Sequence, residues 1–130
     1  STPWRGLSVM LGAMQLIKNP LITCDVYSST KIYGSAFDEA NHKLYKPLFD
    51  QAEQLSNVNY KGFVSNEELL KNMYNYHIFT YPNIWEETSC IAAIEALAHG
   101  LHGIVTNYGA LFETCSEWPT YIQYQETIRT

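Results

Sequence analysis

YPNIWEETSCIAAIEALAHG, residues 81–100, contains the clearest structural pattern in the sequence. The apolar run 77–81 predicts a strand that Pro82 ends, and residues 88–99 predict a helix that Gly100 closes. A helix that starts just after a parallel strand faces the crevice beyond the strand ends. Its unpaired N–H groups and its dipole favour an anionic ligand there, such as a phosphate.

The same alternation of strands and helices extends along the rest of the chain. Further helices are predicted at 7–18, at 39–55 and at 66–76. Ser65 caps the last of these, with Glu68 three residues on, as in a capping box. The longest helix is expected to bury one face, formed by Leu44, Leu48, Ala52 and Leu55. Further strands are predicted at 21–27, 58–60, 104–106 and 121–124, with a loop at 28–38 and a turn and short helix at 109–115.

This alternation predicts βαβ units and a parallel sheet. We therefore expect an α/β fold in which a Rossmann-like parallel sheet is flanked by helices, with residues 1–130 as a single domain. The chain starts at Ser1 without a methionine, and the pattern continues up to both ends. Both features are expected of a fragment of a larger protein.

The composition of the chain excludes several classes of protein. Of 130 residues, 46% are hydrophobic and 16% charged, with a net charge of -5, which favours a folded domain with no nucleic-acid partner. No apolar run approaches the roughly 20 residues that span a bilayer. The three cysteines are widely spaced, so we expect buried free thiols in a cytoplasmic protein. Neither Asp-x-Asp nor Gly-x-Gly-x-x-Gly occurs, so no metal or nicotinamide cofactor is expected.

Two carboxylates frame the turn in the quoted stretch. Glu87 stands at the start of the predicted helix, and Glu95 lies within it. At about 100° per residue, Glu95 falls at the edge of an apolar stripe formed by Ile91, Ile94, Leu97 and Ala98. A carboxylate at a core boundary needs a hydrogen-bond donor, and ribose or sugar hydroxyls would serve. These residues alone leave open that Glu87 caps the helix and that Glu95 pairs with a cation or lies in water.

Glu87 and Glu95, with seven residues between them, resemble the Glu-x7-Glu signature of retaining GT-B glycosyltransferases, and of glycosyltransferase family 4 in particular. Nearby, Pro82-Asn83 is similar to the family's Pro-Ser, ETSC (87–90) to Glu-x-Phe-Gly, and EALAHG (95–100) to Glu-Ala-x-Ala-x-Gly. GALFE (109–113) is similar to Gly-Gly-x-x-Glu, and VNYKGFV (58–64) to the strand-Gly element near the nucleotide base. Arg5-Gly6 stands where many members have Lys-Gly before a helix.

The resemblance implies the C-terminal, donor-binding half of a two-domain GT-B enzyme. Such a domain binds a nucleotide-diphospho-sugar, a UDP-sugar or GDP-sugar, for retaining, metal-independent transfer of a hexosyl group. The acceptor would bind to an N-terminal domain that this sequence lacks. We therefore expect little or no transfer by the isolated chain, and the full enzyme can associate peripherally with a membrane through the other domain.

The resemblance also implies a role for each matching residue. Glu87 and Arg5 are the expected catalytic residues, Glu87 on the hydroxyls of the donor sugar and Arg5, in place of Lys, on the diphosphate. Glu95 is expected to bind the ribose hydroxyls. The helix-start N–H groups of Thr88, Ser89 and Cys90 are expected to contact the sugar and the phosphate. The turn at Phe63 and Val64 is expected to contact the base.

Some positions depart from the family pattern. Ser89-Cys90 replaces Phe-Gly and Ala110 replaces the second glycine of Gly-Gly, so the approach of the donor sugar is altered. Two other functions remain open. One is a nucleotide-sugar epimerase or a phosphorylase of similar two-domain build, and the other is a non-catalytic Rossmann-like interaction domain. Donor binding separates the last of these from an enzyme, and product analysis separates transfer from epimerisation.

Overall fold

A computed structural model describes residues 2–124 of the chain. Within that range the helices are α1 (Leu7–Leu16), α2 (Ser35–Gln54), α3 (Asn66–Met73), α4 (Ile91–Ala98) and α5 (Leu111–Cys115). The strands are β1 (Cys24–Val26), β2 (Val58–Tyr60), β3 (Ile78–Tyr81), β4 (His102–Thr106) and β5 (Thr120–Ile122). A 3-10 turn, Lys31–Tyr33, precedes α2. The chain divides into two compact units, Ser1–Leu69 and Leu70–Thr130.

The first unit is built on the parallel pair β1–β2, in which Cys24 is opposite Val58 and Val26 is opposite Tyr60. The long helix α2 connects the two strands, as a parallel pair requires. The core of the first unit consists of buried side chains from β1, β2, α1 and α2: Leu7, Leu11, Met14, Val26, Phe49, Ala52 and Val58. Each large side chain buried in this way stabilises the unit by about 1.5–3 kcal/mol.

Helix α2 differs from the prediction in its start and in its buried face. It begins at Ser35 rather than at residue 39, because Gly34, at φ 96°, turns the chain directly into the helix. The predicted loop 28–38 therefore contains the first turn of α2, where Asp38 accepts a 2.6 Å hydrogen bond from the Thr30 hydroxyl. Leu44 was predicted to be buried, but it is 68% exposed. The other three predicted residues, Leu48, Ala52 and Leu55, lie in or against the core, together with Tyr45 and Phe49.

The second unit is a three-stranded parallel sheet in the order β3-β4-β5. Ile78 is opposite His102, and Ile104 is opposite Thr120. Helix α4 connects β3 to β4, and α5 lies between β4 and β5. The core consists of buried residues from the strands, the helices and the residue before α4: Tyr81, Cys90, Ala93, Val105, Leu111 and Cys115.

All described strand pairs are parallel and are connected through helices, which confirms the predicted α/β class. The capping prediction for α3 is also confirmed, since the Ser65 hydroxyl accepts a hydrogen bond from the Glu68 N–H at 3.2 Å. Strand β1 is shorter than predicted, Cys24–Val26 within the expected 21–27. Across residues 2–124, no helix combines the length and the apolar character that crossing a bilayer requires.

Candidate functional site

The loop between β3 and α4, residues 82–90, is fixed at its start by a buried asparagine. Asn83 is fully buried, and its side chain accepts a hydrogen bond from the Trp85 N–H at 3.0 Å and donates one to the Trp85 carbonyl at 2.5 Å. Its backbone carbonyl accepts a 2.7 Å hydrogen bond from the hydroxyl of Thr106, the last residue of β4. The 82–90 loop is therefore attached to the carboxyl ends of two neighbouring strands.

Glu87 is the buried acid of this loop, with 7% of its surface exposed. The Tyr81 hydroxyl donates a 2.6 Å hydrogen bond to its Oε1 atom. Its backbone carbonyl accepts a 2.9 Å bond from the N–H of Ala110, just before α5. A carboxylate can remain buried when donors satisfy it, and an O–H···O⁻ bond of this length is a strong one.

Gly109 allows the loop to approach α5 closely. Its φ is +60°, and a Cβ atom there would lie 2.6 Å from the Glu87 nitrogen and 2.9 Å from its carbonyl oxygen. Real Cβ atoms do not come that close to backbone, so a side chain at this position would displace Glu87. The position thus requires glycine for both conformation and space.

The helix after Glu87 starts later than the sequence predicted. Thr88, Ser89 and Cys90 belong to the loop, and α4 begins at Ile91. The cause is Cys90, whose φ of 89° is left-handed and interrupts the helix. The expectation that the N–H groups of residues 88–90 form the helix start is therefore wrong for Thr88 and Ser89, whereas Cys90 is the N-cap residue. The Thr114 hydroxyl on α5 donates to the Ser89 carbonyl at 2.9 Å and attaches this end of the loop to the core.

Cys90 also explains one departure from the family pattern. It occupies the place of a glycine, and its backbone keeps a conformation that glycine adopts at little cost and other residues rarely adopt. A glycine at this position, as in the pattern that the sequence resembles, would adopt this conformation at little cost.

Helix α4 buries a face that differs from the predicted one, although Leu97 of the predicted stripe packs against the core. Ile91 and Ile94 are 68% and 48% exposed, while Ala93 and Ala96 are fully buried. Small side chains let the helix pack closely on the sheet, and this outweighs the larger hydrophobicity of isoleucine. Glu95 is half-buried at the edge of the true face. Within residues 2–124, no hydrogen bond or ion pair to its carboxylate is present.

The remaining predicted site residues lie in the first unit. Arg5 is half-buried, and its Nε donates a 3.0 Å hydrogen bond to the Thr2 hydroxyl. Gly6 follows at φ 98°, a conformation that favours glycine, and precedes α1. Phe63 is 55% exposed and Val64 half-buried, both in the turn after β2. Glu87, residues 88–90 and Glu95 thus lie in the second unit, and Arg5, Phe63 and Val64 lie in the first.

The cysteines behave as structural thiols. None of the three forms a disulfide; Cys90 and Cys115 are buried and Cys24 is half-buried. Burial, with a smaller contribution from the Asp25 charge, raises the pKa of the Cys24 thiol to about 11, and burial also raises the pKa of the Cys115 thiol. Raised pKa values leave little thiolate for nucleophilic chemistry. Within the described part of the chain, no three His, Cys, Asp or Glu side chains are grouped as a metal site requires.

A groove of about 360 Å³ lies elsewhere on the second unit, lined by Leu97, Gly100, Leu101, His102 and Trp118. His102 is the first residue of β4, so the groove is at the amino end of that strand. Ligands of open α/β sheets bind beyond the carboxyl ends, where Thr106 attaches the 82–90 loop. The groove is therefore separate from the candidate site.

Tyr81 and the polar role of Asn83 were missed at the sequence level. Tyr81 is the last residue of a strand and lies six residues before Glu87, a spacing that no regular element brings into contact. Asn83 carried a usable signal, because asparagine just after a strand commonly bonds to the backbone two residues on. That is the bond found between Asn83 and Trp85.

Two comparisons with known proteins identify a relationship. The family model described as Glycosyl transferases group 1 matches residues 2–123. Among solved structures, the crystal structure of a glycosyltransferase from Rickettsia africae ESF-5 matches with a TM-score of 0.67 and 20% sequence identity. The match covers 95% of this chain, which spans 31% of the length of the Rickettsia africae protein chain. No curated protein matches the chain.

At 20% identity the structural match bears on the fold alone, and it confirms the expected Rossmann-like α/β fold with a parallel sheet flanked by helices. The family match extends over nearly all of the described residues and includes the 82–90 loop, α4 and the turn at Gly109. The chain therefore belongs to the group 1 glycosyltransferases.

Proposed function

We propose that the chain binds the nucleotide-diphospho-sugar donor of a glycosyl transfer, with Glu87 on hydroxyls of the donor sugar and Glu95 on the ribose. The observation that carries the proposal is the buried Glu87 carboxylate, which the 82–90 loop holds beyond the carboxyl ends of parallel strands. Membership in the group 1 glycosyltransferases supports it.

The two carboxylates suit different parts of such a donor. Glu87 is fixed by bonds to Tyr81 and Ala110, so it can act on hydroxyls whose positions matter to the reaction. Glu95 is half-buried with no bond to its carboxylate among residues 2–124, so it can accept hydrogen bonds from a vicinal diol such as that of ribose.

The leaving group sets the electrostatic demand. As the bond between the anomeric carbon and the diphosphate breaks, negative charge grows on the phosphate oxygens. The first turn of an α-helix leaves N–H groups without helical partners, and the start of α4 at Ile91 supplies them just after the loop. We assign Arg5 as a cation for the diphosphate, and Phe63 and Val64 as contacts of the base. We propose further that a hexosyl unit is transferred from UDP or GDP, with retention of the anomeric configuration and without an essential metal.

The donor-binding part is tested by isothermal titration calorimetry of the 130-residue chain with UDP- and GDP-hexoses and with UDP and GDP. We expect one nucleotide series to bind. Glu95→Gln should weaken both the sugar nucleotide and the free diphosphate about 10-fold, because the ribose is common to both. Glu87→Gln should weaken the sugar nucleotide by about the same factor and leave the free diphosphate unchanged.

Glu117→Gln is the matched control, since Glu117 is exposed in the same unit and has no assigned role. Absence of heat with every sugar nucleotide would overturn the proposal. Equal weakening of the free diphosphate by Glu87→Gln and Glu95→Gln would overturn the division of roles. Repeating the titration in EDTA checks metal independence, which predicts an unchanged Kd.

The reaction itself is tested with the full-length gene product. Proton NMR of the product should show the anomeric configuration of the donor sugar, as retention requires. An epimerised nucleotide sugar, or release that depends on inorganic phosphate, would favour the epimerase or the phosphorylase instead. The isolated chain should give no more than background transfer, and efficient turnover by these 130 residues would contradict the need for a second domain.

A further inference from the structure

A side chain from a regular element contacts the Glu87 carboxylate. The Tyr81 hydroxyl donates to Oε1 at 2.6 Å, and both residues are buried, at 6% and 7% exposure. Tyr81 ends strand β3, and its ring packs in the core and stacks on Phe79 with ring centroids 5.7 Å apart. The position of the hydroxyl is therefore set by the sheet and not by the loop.

Hydrogen bonds to the backbone of the loop do not restrict the torsions of the Glu87 side chain. The bonds from Asn83 and Ala110 fix the backbone of the 82–90 loop, but a glutamate has three side-chain torsions beyond it. A hydrogen bond to one carboxylate oxygen restricts those torsions. A carboxylate can accept about four hydrogen bonds, so the Tyr81 bond is compatible with bonds from sugar hydroxyls.

We propose that Tyr81 is a positioning residue, which orients the Glu87 carboxylate toward the hydroxyls of the donor sugar. This inference rests on the proposed function, because it needs a donor sugar at Glu87. The orientation of the carboxylate comes from the end of strand β3. It concerns recognition of the sugar and not of the nucleotide. Loss of the Tyr81 hydroxyl should affect recognition of the sugar and leave recognition of the nucleoside diphosphate intact.

The competing role for Tyr81 is that of a structural tether, and a matched variant separates the two. Tyr121 lies in the same unit, packs against the same core and donates its hydroxyl to the Ser116 carbonyl at 2.5 Å. Tyr81→Phe and Tyr121→Phe therefore remove the same kind of group, and each retains its ring. Of these two tyrosines, Tyr81 is the one that donates to the Glu87 carboxylate.

The test is calorimetric titration of wild type, Tyr81→Phe and Tyr121→Phe with the best-binding sugar nucleotide and with its nucleoside diphosphate. Tyr81→Phe should weaken the sugar nucleotide about 10-fold and change the diphosphate by less than about twofold, whereas Tyr121→Phe should change neither. A Glu87→Gln background should abolish most of the Tyr81→Phe effect, because both changes then act on the same interaction. With the full-length gene product, kcat/KM should fall for Tyr81→Phe while inhibition by the diphosphate stays constant.

Two results would overturn the inference while leaving donor binding established: unchanged sugar-nucleotide affinity in Tyr81→Phe, or equal weakening of sugar nucleotide and diphosphate. The second would identify Tyr81 as a tether. Failure of the wild-type chain to bind any sugar nucleotide would instead remove the proposed function, and the inference with it.

Discussion

Glu87, in the 82–90 loop, is 7% exposed and bonded to Tyr81, whereas Glu95, on helix α4, is half-buried and has no described bond to its carboxylate. The two regions are consecutive in sequence but are stabilised differently. The loop depends on side-chain and backbone hydrogen bonds to strands and to α5, and α4 depends on close packing of Ala93 and Ala96. A precisely fixed carboxylate therefore comes from the irregular segment, and the more open one from the regular helix.

The largest expected effect tests the close contact that fixes the loop. Gly109→Ala should lower the free energy of unfolding by about 2–4 kcal/mol, because its Cβ would overlap the Glu87 backbone in addition to the left-handed conformation. Urea unfolding measures the change. Gly100→Ala is the matched control: Gly100 has φ +84°, with nothing within 4 Å of its Cβ position, so about 1 kcal/mol is expected. Equal losses would mean that the contact does not constrain the loop.

The next effect compares the two carboxylates directly. Glu87→Ala should cost about 1.5–3 kcal/mol, which is the usual contribution of a hydrogen bond to a charged group, since it removes the acceptor of the Tyr81 hydroxyl. Glu95→Ala should change stability by no more than about 0.5 kcal/mol, because the carboxylate has no described partner and alanine favours helix. Thermal and urea unfolding of both variants checks the difference. Similar losses would remove the distinction between loop and helix.

A smaller, stabilising effect concerns backbone strain. Ser116, after α5, is exposed and has φ 50° and ψ -130°, a conformation that only glycine adopts readily. Ser116→Gly should raise the free energy of unfolding by about 1 kcal/mol. Cys90→Gly, which also relieves a left-handed residue, should gain less, because it loses a buried thiol. If urea unfolding shows a larger gain in stability for Cys90→Gly than for Ser116→Gly, the strain at Cys90 outweighs the stabilisation that its buried thiol provides.

The smallest expected effect tests the buried face of α4. Ile91→Gln should change stability by less than about 0.5 kcal/mol, because Ile91 is 68% exposed. Ala96→Leu, at a fully buried position, should cost about 1–3 kcal/mol through overpacking. Circular dichroism melting of both variants is sufficient. If Ile91→Gln lowers stability more than Ala96→Leu does, the buried face of α4 is the one predicted from periodicity.

Local signals in the sequence predicted the parts of the fold that local chemistry determines. The start of α3 follows from Ser65 and Glu68, whose backbone N–H bonds to the serine hydroxyl. The end of β3 follows from Pro82, and the alternation of strands and helices predicted the parallel pairing of both sheets. The Glu-x7-Glu spacing predicted a site at the loop after β3 and at the helix that follows it.

What could not be predicted depends on tertiary contacts. Cysteine gives no local indication of a left-handed φ. The start of α4 at Ile91, three residues after the predicted start, could therefore not be predicted from Cys90. Periodicity favoured Ile91 over Ala93 as a buried residue, because it weighs hydrophobicity and ignores how closely a helix must approach the sheet. The bond from Tyr81 to Glu87 joins a strand end to a loop, and its six-residue spacing matches no helical or strand period.

Parallel pairing shapes how this chain folds. Cys24 pairs with Val58, and Ile78 pairs with His102, so each ladder forms only after a long intervening segment has been closed. Helices relax in about 0.1–1 μs, whereas long-range β pairing, parallel pairing included, is intrinsically slow. A refolding chain should therefore gain helical signal before its strands align, and the Glu87 carboxylate reaches its final orientation only when β3, β4 and the turn at Gly109 have come together.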